Sequence, residues 1–154
     1  METRNISYGG TAAIATSMAL ISGSGAAHAT KPVIVSALLI AALADNITDS
    51  LSIHIFQESE QLDIKAAFAG TIANFVTRLL LCLTFVPMVV FLSLPHAIEG
   101  AIIWGYTLLG TLTYLVARER KLNPLTEAIK HLLFAAVVIS ASMMIGHWIG
   151  TVLV

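Results

Sequence analysis

The sequence predicts an all-α integral membrane bundle of five transmembrane helices, with the N-terminus on the cytoplasmic side and the whole chain, residues 1–154, as one transmembrane domain. Three observations predict it. Of 154 residues, 57% are hydrophobic and only 11% charged, against roughly 45–50% and about 25% in soluble domains. Five apolar segments are each long enough for the roughly 20 helical residues that cross a bilayer core. The basic residues fall almost wholly on one side of that five-span arrangement. So few charges cannot clothe a water-facing surface, so most of the surface is expected to face a lipid bilayer.

The spans fall near 9–27, 32–56, 66–92, 97–117 and 128–153. The first is rich in small residues, with Gly9, Gly10, Ala13, Ser17, Gly23 and Gly25 placed for close helix approach. Its end, Gly25 to Ala29, resembles a signal-peptidase site, but four further spans follow, so the helix is expected to be retained. Pro32 stands where the second span can begin, and Pro95 and Pro124 lie in connections. Pro87 is placed to kink the third span or end it early. In the fifth, Gly146 and Gly150 form a GxxxG pair suited to tight contact in lipid, and with the first span suggest a close-packed bundle and a homodimer. Arg4, Lys65, Arg118, Arg120, Lys121 and Lys130 share one side and only Lys31 takes the other, which makes that side cytoplasmic. A multi-pass protein of a prokaryotic inner (plasma) membrane is expected.

Several functions are disfavoured. A net charge of −1 gives no electrostatic case for nucleic acid. Cys82 is the single cysteine, so no intramolecular disulfide or cysteine-based zinc site is available. No HExxH or GxSxG motif and no Ser/His pair at catalytic spacing suggests an enzyme. No resident cofactor is expected.

Ionisable residues within spans carry the functional signal, because lipid makes them expensive. Glu2, Glu60, Asp63, Glu99, Glu119 and Glu127 sit at ends or in loops, where water solvates them. Asp45 and Asp49 occupy the middle of the second span, one turn and about 6 Å apart on one face, with Asn46, Thr48 and Ser52 around them. Two charged, unpaired carboxylates there would cost about 5–7 kcal/mol. A bound cation, a basic partner or protonation could compensate. Arg78, near the middle of the antiparallel third span, is the basic partner at hand. It neutralises one acid, leaving the other for a cation or a proton, with Asn46 and Ser52 helping to line the path. A purely structural Asp/Arg cluster in a non-transporting membrane subunit remains the alternative. His54 and Glu58, one turn apart near the cytoplasmic end, offer imidazole and carboxylate as a first contact for a divalent metal. Met143, Met144 and His147 could add soft ligands, though apolar packing is the simpler reading of the methionines. His28, His96 and His131 lie near interfaces without a specific signal.

The chain resembles the vacuolar iron transporter family, including its Ccc1-like members, over nearly its whole length. The resemblance rests on Arg4-Asn5 and then Gly9-Gly10-Thr11-Ala12-Ala13 with Leu20 and Gly23 in the first helix. It continues with Asp49, Ser52 and Gln57-Glu58 in the second, then the basic connection, Pro124, Gly146 and Gly150. It implies five spans, a homodimer, and proton-coupled export of iron(II) or manganese(II) from the cytoplasm. The chain departs from the pattern at four points. Ala12 stands in place of an aspartate and Asp45 in place of a methionine. Residues 58–65 stand where a long cytoplasmic metal-binding module is expected, and Arg78 has no family counterpart.

Overall fold

The computed structural model describes residues 3–59 and 64–153, with side chains described from residue 9 onward except those of 64, 66 and 67. Glu2, Glu60, Asp63 and the side chains of Arg4 and Asn5 lie outside this description. The described residues are helical almost throughout, without a strand: α1 (Thr3–Ala26), α2 (Lys31–Ile40), a π-helical turn (Ala41–Asp45), α3 (Asn46–Ser59), α4 (Ile64–Phe91), α5 (Leu94–Glu119) and α6 (Pro124–Val152). The α2, π and α3 pieces run on as one 29-residue helix, Lys31–Ser59. It and the helices Phe68–Phe91, Leu94–Glu119 and Pro124–Val152 are long and apolar enough to cross a membrane, four among the described residues. The protein is thus a multi-pass membrane protein by length and composition.

The first helix is not among those four, and its position explains why. α1 packs against α4, α5 and α6 together, so it occupies the middle of the bundle. Ala13, Ile14, Ser17, Met18, Ile21 and Ser22 are all buried. A helix surrounded by other helices needs small residues for close approach more than it needs oily ones. The core joins Ile14, Met18 and Ile21 to Ile34, Leu38, Phe85, Val89, Leu109 and Ile139. The outer faces carry Ile40, Phe91, Ile103, Phe134 and Val137, all exposed as lipid-facing side chains should be. Core and lipid are about equally apolar, so specificity must come from close contacts and polar pairs.

The GxxxG pair of α6 is such a contact, made within the chain. A Cβ on Gly146 would lie 2.0 Å from the Gly23 carbonyl oxygen, and one on Gly150 would touch His28 and Ala27. That surface is consumed by the α1–α6 seam, so it is not free to join two copies. Beside the seam, α1 leaves a half-exposed stripe, Ala12, Ala15, Thr16, Ala19 and Gly23, that lines an open groove of about 570 Å3.

Local chemistry ends each helix where the sequence permits. His28 (φ 59°) and Lys121 (φ 56°) take the left-handed conformation just past α1 and α5. There the chain closes each helix with 6→1 bonds, Ala29 N to Ser24 O and Leu122 N to Ala117 O, both 3.0 Å. Asn123 caps α6 by accepting from Leu125 N (3.1 Å) and Thr126 N (3.3 Å), with Pro124 following. Pro87 does not end its helix: α4 continues to Phe91 before α5 starts at Leu94.

Candidate functional site

The site is built where the long second span meets α4, and the π turn sets its geometry. Ile34, Leu38, Ala42, Asn46 and Ser50 are all buried at a strict four-residue spacing. At 3.6 residues per turn, four such steps would carry a stripe roughly 160° around an ideal α-helix. The wider π turn takes back part of that drift and keeps the stripe against the bundle. It also displaces a hydrogen bond. The Asn46 amide N–H turns to the Leu43 carbonyl, and the Asn46 side chain serves the Ala42 carbonyl instead, Nδ2 donating at 2.6 Å.

Asn46 is thereby fixed with its Oδ1 pointing to α4. That oxygen accepts from Arg78 Nε at 2.6 Å. Arg78 is only 4% exposed. Its terminal nitrogen pairs with Asp49, whose carboxylate is 45% exposed. Of the two acids that the sequence left open as partners of Arg78, Asp49 is therefore the one brought to it, with Asn46 as a neutral third partner. The terminal nitrogen, Nη1, makes that ion pair without a hydrogen bond, so the buried guanidinium is only partly satisfied, and removing either partner would leave a costly group behind.

Asp45 is not brought to Arg78. It sits at the midpoint of the 29-residue helix, exposed on the outside of the bundle, and among the described residues no hydrogen bond or ion pair reaches it. Asp45, Thr48, Asp49 and Ser52 stand at i, i+3, i+4 and i+7, one continuous face, with Asp49 half-exposed and the others exposed. The hydroxyls of Thr48 and Ser52 satisfy themselves on the Ala44 and Thr48 carbonyls, at 2.9 and 3.0 Å. Of the four residues expected to line one path, Asn46 alone turns inward.

Deeper in the seam lies a residue that sequence reasoning passed over. Asn74, buried at 1% exposure one turn before Arg78, donates from Nδ2 to Ser50 Oγ at 3.3 Å. Its Oδ1 is buried without a hydrogen-bond partner, as is Oε1 of Gln57. Each such orphan costs about 1–3 kcal/mol. Neutral amides raise no alarm in a hydropathy scan, but Asn74 is four residues before Arg78, the spacing that puts both on one face.

At the other end of α3, His54 and Glu58 do meet, Nε2 to Oε1 at 3.4 Å. The ring is held by Thr71 on Nδ1 at 3.3 Å and packs edge-on against Phe68, 6.4 Å between centroids. Met144, the more exposed of the two methionines, and His147 lie on the outside of α6, and they do not converge with the acids on a common site. Among the described residues, no three His, Cys, Asp or Glu side chains gather into a metal-binding group. Compared with protein-family models, curated proteins and solved structures, the chain matches none.

Proposed function

We propose that this chain transports a divalent transition metal, iron(II) or manganese(II), out of the cytoplasm in exchange for protons. It would do so as a homodimer with five spans per copy and the N-terminus cytoplasmic. The observation that carries the reading is Asp45, a carboxylate exposed at the midpoint of an apolar 29-residue helix with no counter-charge of its own. Lipid penalises such a group by about 2.5–3.5 kcal/mol, and intramembrane acids characteristically mark ion pathways. A second copy cannot supply a base there. Arg78, the basic residue at comparable depth, is buried and already engaged. A cation shared between two acidic faces, or protons when it is absent, resolves the charge on both. Oxygen ligands of this kind suit Mn(II) and tolerate Fe(II). The His54–Glu58 pair, at the end of α3 assigned to the cytoplasm, would make first contact. The half-exposed small-residue stripe of α1 gives a second copy a surface it can approach closely. The resemblance to vacuolar iron transporters points the same way. A prokaryotic inner membrane is the proposed location.

The test is metal uptake into dye-loaded proteoliposomes, run with Mn(II), Fe(II), Zn(II) and Mg(II). Flux of Mn(II) or Fe(II) that disappears in Asp45→Asn or Asp49→Asn, while the folded dimer persists, is the expected result. Unchanged flux in both variants would refute it. The Arg78–Asn46–Asp49 network favours a second reading, a membrane subunit in which the polar cluster only fixes helix register. Melting of the detergent-solubilised protein separates the two. The subunit reading expects no rise with Mn(II), whereas transport expects a rise lost in Asp45→Asn.

A further inference from the structure

Arg78 and Asn74 both reach the slot left by one missing side chain. A Cβ on Gly9 of α1 would lie 2.0 Å from Asn74 Oδ1 and 2.9 Å from Arg78 Cγ. The arginine stem and the amide oxygen are therefore neighbours in a space that α1 keeps open. That oxygen has no donor, although buried acceptors are almost always satisfied. A guanidinium carries five N–H groups in a planar fork. Arg78 spends Nε on Asn46 and a terminal nitrogen on Asp49, the outer and more exposed partner.

We propose that Asn74 Oδ1 is a second seat for the Arg78 guanidinium, so that Arg78 alternates between an outer seat on Asn46 and Asp49 and an inner seat on Asn74. In the inner position Asp49 is released and stands free beside Asp45, one turn away on the same face. The consequence for metal rests on the proposed transport function: a divalent cation settling on the two carboxylates repels the guanidinium inward, and its departure draws Arg78 back. The pair of acids is then available only while a cation occupies it. Asn74 acts through Arg78 and is a positioning residue.

The test uses the full-length protein in detergent, with Mn(II) as probe. Without metal, Asn74→Leu is compared in the native background and in Asp49→Leu, where the outer seat has lost its acid. The second seat expects little or no loss of melting temperature in the native background and a drop of several degrees in Asp49→Leu. Equal shifts in the two backgrounds overturn it, whatever the metal does. Mn(II) binding, followed by the electron paramagnetic resonance signal of the free ion, supplies a readout that plain structural damage would not produce. Asn74→Leu, which holds Arg78 outside, weakens binding at least tenfold. Asn74→Asp, which holds it inside, strengthens binding. Changes of the same sign in both variants overturn the mechanism. A native protein that shows the melting coupling but binds no Mn(II) overturns the cation reading and leaves the second seat standing.

Discussion

Replacing Arg78 by leucine tests the internal logic of the site most directly. The guanidinium is 4% exposed and makes two interactions of different worth. Its Nε bond to Asn46 Oδ1, at 2.6 Å, is a buried hydrogen bond from a charged donor and contributes about 1.5–3 kcal/mol. Its pair with Asp49 joins a buried guanidinium to a carboxylate whose exposed side faces lipid rather than water, so breaking it leaves an unpaired acid that costs about 2.5–3.5 kcal/mol. Arg78→Leu should therefore destabilise by about 4–6 kcal/mol, with the Asn46 side chain left holding only the Ala42 carbonyl. Reversible unfolding in mixed micelles, followed by circular dichroism, measures this. Adding Asp49→Asn to Arg78→Leu should recover about 2 kcal/mol, because much of the loss lies in the acid left in lipid. Adding Asn46→Leu should recover less, about 1 kcal/mol, by removing the orphaned amide oxygen. If Asn46→Leu rescues and Asp49→Asn does not, the hydrogen bond dominates and the apportionment above is refuted.

Substitutions at four further positions probe the frame around the site. His28→Gly should raise stability by about 0.5–1 kcal/mol in the same unfolding assay, since the position is left-handed at φ 59° and glycine adopts that conformation freely. Gly146→Ala should cost at least about 2 kcal/mol, because its Cβ would meet the Gly23 carbonyl oxygen at 2.0 Å. Gly110→Ala, whose Cβ would touch Leu132 at an ordinary 3.9 Å, should be neutral or mildly stabilising. Asn123→Ala removes the cap of α6 and should cost about 1 kcal/mol, an effect that Asn123→Ser largely avoids.

Much of the frame was legible because lipid makes span length and composition speak plainly. The second to fifth segments emerge as helices near their expected limits. The first was equally visible as a run of small residues, but its role as the central helix is a matter of neighbours, and only the packing reveals it. The GxxxG pair shows the limit of motif reading. Gly146 and Gly150 mark a close approach, as expected, yet the partner is α1 of the same chain. At the site, the charges were legible and their directions were not. Asp45 and Asp49 looked equivalent one turn apart. Which of them meets Arg78 depends on helix rotation, and that is set by a π turn over Ala41–Asp45, a stretch with no Pro or Gly to mark it. A strict four-residue spacing through Ile34, Leu38, Ala42, Asn46 and Ser50 was the available clue, since a plain α-helix cannot keep such a stripe on one side.

The division of charge across this seam follows from what each group can do in lipid. A guanidinium stays charged under any ordinary condition, so it must be given partners wherever it is placed. Here it is turned inward to Asn46 and Asp49, both positioned by α3. A carboxylate has another recourse, since it can take a proton and become neutral. Placing Asp45 outward, beside the outer partner of the arginine pair, puts the group with that recourse on the face where no fixed base stands. Had the two been exchanged, with arginine on the outer face and the acid alone within, the exposed charge would have no neutral form. The face would then be closed to cations by repulsion. The arrangement found instead keeps the fixed positive charge inside and leaves the outer face acidic.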